Sequence, residues 1–490
     1  MGQELVGAKF KTWMIHGLFF AFFLSLALVN FLNFRLPALD QGIANQALYS
    51  FAHLNNAVCS LLIGQPDAPY LSLHLSLWVP ILSPFYYLFG FYTLFLFQAG
   101  MIVFAGYYLY KIARFYGLSD WVSCLLLLQF YTCWAWIGAF ADGYHENCVA
   151  ACFVPFLFWS FLQTNKLGIC MAWLGMVICK ENMAIWLFFL IPVLSIAAKQ
   201  YKKLLVLTLV LMAASALYFY LTTQILMPAL DPSHRFQQLN RYSHLGASLS
   251  EIVAQIVAHP LHMLELFFKS HVQPDELENM KWELWMVLLF SGLWTIYANS
   301  IFSLAFLPLL AQKLWNKEVV FWGINHHYNV EFAPLLALLL ILYIHKLKTE
   351  LQKKIAVSAF FAATVLVSLF VLFERKSIWY DQEKDNYLLP AHYKSRIATA
   401  DFETIKQAIP STAALCTNSS LVPHFCDRTQ IYLFPNCKNA AFLLLLNSTQ
   451  DTYPISTDMY LHHKFNFATK DSLGYKVIAS NESFTLFQKK

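Results

Sequence analysis

Charge is what this chain has least of. Only 12% of its 490 residues are Asp, Glu, Lys or Arg, against 58% hydrophobic residues, at a mean hydropathy of +0.51. Soluble domains carry roughly 25% charged residues, so water does not solvate most of this sequence. The basic residues are scattered over short segments and form no continuous stripe, which excludes a nucleic-acid partner. There is no C-x-x-C and no H-E-x-x-H, and no G-x-x-x-x-G-K-[ST] loop to hold a nucleotide. No internal repeat or low-complexity linker is visible, and no small-residue cleavage site follows the apolar run His16 to Phe31, which therefore reads as an uncleaved first span.

What is present is a series of apolar runs long enough for hydrocarbon. We read about eleven spans, near 13–33, 92–112, 119–140, 147–163, 167–179, 183–198, 203–227, 284–299, 301–316, 331–345 and 355–373. Lys9 and Lys11, Lys111 and Arg114, Lys166, Lys199 to Lys203, and Lys346 to Lys354 recur at alternate ends, although Lys313 and Lys317 break the pattern. Basic loops face the cytoplasm, so the expected N-terminus is cytoplasmic and the C-terminal tail extracytoplasmic, in an inner or plasma membrane. The expected fold is an α-helical polytopic membrane protein over residues 1–390, with outer loops 34–91 and 228–283. A soluble α/β domain of strands such as "QIYLFP" and "AFLLLLN" follows over 391–490.

Within the loop 34–91, "DQGIANQALYSFAH" gathers Ile43, Ala44, Ala47, Leu48, Phe51 and Ala52 on one helical face, as for a helix lying in the interface. "HLSLWVPILSPFYYLFG", broken by Pro80 and Pro84, reads as re-entrant or interfacial. "SLSE" at 248–251 is a capping box, and Pro260 ends or kinks the helix it opens. Most cysteines lie in apolar runs; of Cys416, Cys426 and Cys437 two can pair, without the spacing saying which.

The ionisable groups at span edges fall mostly on one face: Asp40, Asp67 and His74, then Asp142, His145 and Glu146, then Lys180 and Glu181, then His326, His327 and Glu331. Such groups are costly near hydrocarbon and usually mark a site. Each has an ordinary alternative: Asp40 can cap a helix, "DGYH" can be a polar turn, Lys180 can pair with Glu181. Their common side carries the argument, because unrelated caps would scatter over both faces. A carboxylate there can serve as general base, Lys and His can balance a phosphate leaving group, and the acids and histidines can alternatively hold a divalent metal ion.

Those segments, with "CKENMAIW", "HHYNVEFAPLL" and "IPSTAALCTNSSLVPHFCDRTQIYLFP", resemble a bacterial membrane-protein family catalogued as a domain of unknown function. The family is similar to GT-C glycosyltransferases, which use polyprenyl-phosphate-linked sugars. Asp40, His74, Asp142, His145, Lys180 and Glu181 match its ordered motifs; Ser76–Leu77, the spacing in "DGYH" and Asn182 depart from them. The resemblance implies Asp40 as catalytic base. His74, Asp142, His145, Lys180, Glu181, His326 and His327 would bind substrate, namely a polyprenyl-phosphate sugar donor met among membrane lipids. Two rival readings are a transporter or flippase of a lipid-linked or polar solute, and a non-catalytic membrane assembly protein.

Overall fold

A computed structural model of the chain describes residues 2–62, 67–373, 380–438, 440–449, 451–469 and 474–490. Among these, six helices are long and apolar enough to cross a membrane: Phe10–Leu32, Tyr92–Phe115, Tyr201–Leu230, Leu293–Leu314, His327–His345 and Glu350–Phe373. A seventh span is formed if Asp120–Tyr131 and Trp134–Ala141, bent by 41°, are counted together. The expected count of about eleven is therefore not met by length. Runs read as spans near 147–163, 167–179 and 183–198 are the shorter apolar helices Glu146–Leu162, Lys166–Val177 and Met183–Ala197.

Local chemistry explains the breaks. Ser119 caps the helix Asp120–Tyr131 by accepting from the Val122 amide at 3.4 Å. At its end the Thr132 hydroxyl donates back to the Leu128 carbonyl at 2.9 Å, and extended Cys133 makes the bend. The break expected between 299 and 301 is present at Asn299 (φ −147°, ψ 64°), and a second break precedes it. Helix Glu278–Phe290 stops at Ser291, and Gly292, at φ +107°, turns the chain into the 3-10 segment Leu293–Phe302. Positive φ costs a side chain about 1 kcal/mol or more, so glycine suits this corner.

The helix His327–His345 is 89% buried over its apolar window, whereas Tyr201–Leu230 is 22% buried. The first, apolar all round, is the axis of the bundle; the second presents Leu205, Val206, Leu209 and Val210 outward to lipid. Side-chain hydrogen bonds tie the helices where no water can: His16 Nδ1 with the Tyr131 hydroxyl at 2.7 Å, and Trp134 Nε1 to Ser291 Oγ at 3.2 Å.

Between the first two spans lie the π-helical turn Ala38–Gly42 and the helix Ile43–Ala52. That helix does not lie with its polar face in water as expected: Gln41, Asn45, Gln46 and Ser50 are all buried. Gln46 Nε2 donates to Ser60 Oγ at 2.9 Å and Asn45 Nδ2 to the Pro423 carbonyl at 3.1 Å, so distant segments replace the solvent. Pro80 and Pro84 leave only short helical pieces over Trp78–Phe89, as their lost amides require. The capping box forms: Ser248 Oγ accepts from the Glu251 amide at 3.3 Å, while Glu251 reaches back to the Ala247 amide at 2.8 Å. A new helix, Pro260–Glu265, starts at the proline.

The C-terminal part carries a five-stranded sheet in the order Ile431–Leu433, Leu415–Thr417, Phe442–Leu446, Phe484–Lys489, Tyr475–Ser480. The first three strands are parallel and the last two antiparallel to their neighbours. Cys416 and Cys437 form a disulfide, and Cys426 is a buried free thiol. The segment after strand Leu415–Thr417 packs onto the first loop. The Ala38 amide donates to Ser419 Oγ at 3.0 Å, and a Cβ at Gly42 would lie 2.8 Å from Val422.

Candidate functional site

The turn "DGYH" joins helix Trp134–Ala141 to helix Glu146–Leu162. Gly143 sits at φ +95°, and a Cβ there would meet Gln41 Oε1 at 2.6 Å, so both backbone and space require glycine. Gln41 Oε1 accepts from the Tyr144 amide at 2.9 Å. Gln98 clamps the turn from the second span, accepting from the His145 amide and donating to the Gly143 carbonyl, each at 2.8 Å. Asn30, at the end of the first span, donates to the Ala141 and Lys384 carbonyls, both at 3.0 Å. Buried amides on three elements are thus spent on holding one turn.

The turn aims Asp142 into a charged cluster. The carboxylate is buried; it accepts from the His327 amide at 3.1 Å, and His326 Nδ1 lies 3.0 Å from both its oxygens. Lys384, in the segment after the last span, forms an ion pair with Oδ1. Burial alone would raise the Asp142 pKa, but the His326 and Lys384 charges outweigh it and hold the group well below the usual carboxylate range. The same pairing works in reverse on His326, where burial disfavours the imidazolium and Asp142 more than restores it, raising the pKa. Lys384 is likewise raised, burial being outweighed by Asp142 and Asp385. His326 adopts φ +61°, ψ −169°, a conformation rarely taken by side-chain-bearing residues, which costs on the order of 1–3 kcal/mol. Gly138 makes room for it, since a Cβ there would meet the His326 carbonyl at 2.9 Å. His145 stacks on His327 with centroids 3.4 Å apart, and burial followed by the His327 charge pushes its pKa well down, leaving it neutral.

His327 also faces a cavity of about 530 Å³, whose polar lining includes His74, Lys180, Glu181, Arg241 and Glu331. His74 Nδ1 lies 3.0 Å from Glu181 Oε1, and the Leu75 amide donates to Oε2 at 3.3 Å. Burial would raise the Glu181 pKa, but His74 and Lys180 take it down to about 2. Burial and Lys180 lower His74, against the pull of Glu181. The cavity's apolar wall includes Phe189, Phe219, Ile252, Val253 and Ile256. Val257, one residue on from that wall, is 75% exposed on the outside of the same helix.

Asp40 stands in the π-helical turn and keeps its side chain accessible. Protein nevertheless surrounds it closely. Desolvation, then the Asp142 charge, push its pKa up to about 6, against Lys384, His326 and Lys180. Asp40, Asp142, His326 and Lys180 therefore share one electrostatic neighbourhood, which Lys180 extends to His74, His145, Glu181 and His327. Asp40, Asp142 and His145 are not among the residues facing the cavity. Glu146 is turned elsewhere, accepting from the Tyr70 hydroxyl at 2.8 Å, and Asp67 pairs with Lys438.

Sequence reasoning missed Lys384, the cation closest to Asp142, and gave Arg241 no role. The available signal for Lys384 was a single base inside the acidic run "DQEKD" directly after the last span. Asn147, which donates to the His327 carbonyl at 2.9 Å and Glu331 at 3.2 Å, was also passed over.

Over residues 31–459 the chain matches the family described as "Predicted membrane protein (DUF2079)", and it belongs to that family, whose function is unknown. No curated protein and no solved structure matches the chain.

Proposed function

We propose that this member of the family is an integral-membrane glycosyltransferase of GT-C type, taking a sugar from a polyprenyl-phosphate-linked donor at the outer membrane face. One observation carries the reading. A single cavity is lined both by the polar side chains Lys180, Arg241, His74 and His327 and by apolar side chains that include Phe189, Phe219, Ile252 and Val253. That combination suits a molecule with a phosphate at one end and a hydrocarbon chain at the other. Asp40, accessible and with its pKa raised to about 6, has the basicity a general base needs near neutrality.

In the proposed step an acceptor hydroxyl gives its proton to Asp40 while its oxygen attacks the anomeric carbon. The bond from that carbon to the donor phosphate oxygen breaks, and the electron pair leaves with the polyprenyl phosphate. Lys180 and Arg241 meet the growing phosphate charge, with inversion at the anomeric carbon as the outcome. Asp142, His326 and Lys384 form the charged cluster whose field Asp40 shares, and His327 joins that cluster to the cavity lining. Glu181 fixes His74.

The topology belongs to the same proposal. Asp40, Asp142, Lys180, His326 and Lys384 interact, so an even number of crossings must separate each from the next. Seven spans and eleven spans both satisfy this parity. Counting the short helices Glu146–Leu162, Lys166–Val177, Met183–Ala197 and Glu278–Phe290 as crossings keeps Lys166 and Lys199 to Lys203 cytoplasmic, which favours eleven. Residues 391–490 would then be an extracytoplasmic α/β unit, where an oxidising environment suits the Cys416–Cys437 disulfide.

The direct test is binding of a fluorescent polyprenyl phosphate to the detergent-purified protein. Replacing both cations, Lys180→Met with Arg241→Met, removes two charge-assisted contacts worth roughly 1.5–3 kcal/mol each. Weakening of at least tenfold supports the site, and unchanged affinity refutes it. Movement of a lipid-linked sugar across proteoliposomes with no covalent product would favour the flippase reading. Absence of both, with retained binding to a protein partner, would favour an assembly role.

A further inference from the structure

We propose that Asp142, His145 and His327 form a binding site for a divalent transition-metal ion of the zinc or manganese type. The proposal is independent of which substrate the protein takes. One ligand atom from each residue lies within 4.8 Å of the others, and all three residues are buried. His145 Nε2 has no hydrogen-bond partner although it is cut off from water. A buried ring nitrogen left without a partner loses its hydration for nothing, unless something else ligates it.

Two imidazoles and one carboxylate are the donor set of zinc, manganese or ferrous iron; magnesium and calcium prefer oxygen alone. Ligands about 2.1 Å from a common zinc ion stand about 3.4 Å apart, the spacing His327 Nδ1 and Asp142 Oδ2 already have, so the remaining separations would close by at most about 1.4 Å. The surroundings already orient them. Gln98 holds the His145 amide at 2.8 Å, Asn147 holds the His327 carbonyl at 2.9 Å, and His326 braces Asp142 at 3.0 Å. Such outer contacts characterise sites in which the ligands are prearranged. The competing cation is Lys384, which sits on Oδ1 of Asp142, whereas the His327 ring faces Oδ2 at 3.4 Å. Asp385 and Asp40 lie within the field of Lys384 and can take up its charge when a metal ion occupies the carboxylate.

The test uses the full chain purified without chelator. The expected result is about one equivalent of zinc or manganese by elemental analysis. After EDTA treatment, re-addition of the metal raises the thermal midpoint followed by tryptophan fluorescence. Cobalt(II) in the same site gives a visible spectrum with nitrogen ligation. Asp142→Asn and His145→Gln should retain at least tenfold less metal, while His74→Gln, in the other histidine–carboxylate pair, retains it. No retained metal and no shift in midpoint on adding zinc or manganese overturns the proposal, as does retention equal to wild type in Asp142→Asn and His145→Gln. Should either variant fail to fold, the wild-type midpoint and the cobalt spectrum decide.

Discussion

Replacing Lys384 by Met isolates the contact on which the cluster most depends. The side chains of Lys384 and Asp142 are 12% and 6% exposed, so their pairing is screened little by solvent. Removing one partner of a buried pair typically costs about 3–5 kcal/mol, because the other charge is stranded. His326, 3.0 Å from both Asp142 oxygens, still compensates part of that charge, so Lys384→Met should cost about 3 kcal/mol, at the lower end. Asp142→Asn should cost a similar amount, since it strands Lys384 and His326 together. The double variant removes both charges of the pair, and its cost should be close to that of one single variant. The coupling energy is then about 2–3 kcal/mol. Unfolding of the four proteins in detergent with EDTA measures it, with intrinsic tryptophan fluorescence as the signal. Single variants that cost under about 0.5 kcal/mol, or a double variant additive within about 0.5 kcal/mol, would refute a buried, coupled pair.

Gly143→Ala should be far more damaging than Gly90→Ala. Both positions have positive φ, but a Cβ at 143 would meet Gln41 Oε1 at 2.6 Å while the space at Gly90 is open. Strain of about 1–2 kcal/mol is common to both; only the first also loses the Gln41 bond to Tyr144, worth roughly 1 kcal/mol more. Equal thermal midpoints for the two variants would contradict the clamp on the turn. Cys416→Ser with Cys437→Ser opens a 21-residue loop, and the chain-entropy relation gives a loss of about 3 kcal/mol. Free-thiol counting under denaturing conditions with and without reductant checks that the bond forms. A cytoplasmic location for this segment would leave both thiols free.

Much of this arrangement could be read from residue order. The strands expected over "QIYLFP" and "AFLLLLN" form, as does the capping box at Ser248, because period, turn residues and capping are local properties. The polar groups at the span edges were visible for a similar reason: a charge beside hydrocarbon stands out without any knowledge of its partner. Their partners were not visible. Lys384 reaches Asp142 across 242 positions of sequence. The amides of Asn30, Gln41 and Gln98 looked like ordinary polar residues until the turn they hold was in place. The helix Ile43–Ala52 misled for the same reason, since its polar face is covered by Ser60 and Pro423 instead of water. Span length misled too. A run such as Lys166–Val177 is apolar enough for hydrocarbon but only 12 residues long, and composition alone does not set where a helix stops.

The central claim rests on Asp40 as the base. The most direct measurement is release of polyprenyl phosphate from a library of polyprenyl-phosphate-linked sugars, by wild type and Asp40→Asn, across pH. The acceptor proton can be taken only by the carboxylate, and desolvation by the surrounding protein and the Asp142 charge raise the Asp40 pKa to about 6. Wild-type turnover should therefore rise as pH climbs through about 6 and level off above it. Asp40→Asn should lose at least a hundredfold, in line with general-base contributions of roughly 10²–10⁴, and show no inflection there. Turnover in Asp40→Asn equal to wild type, with the same pH profile, would contradict the account.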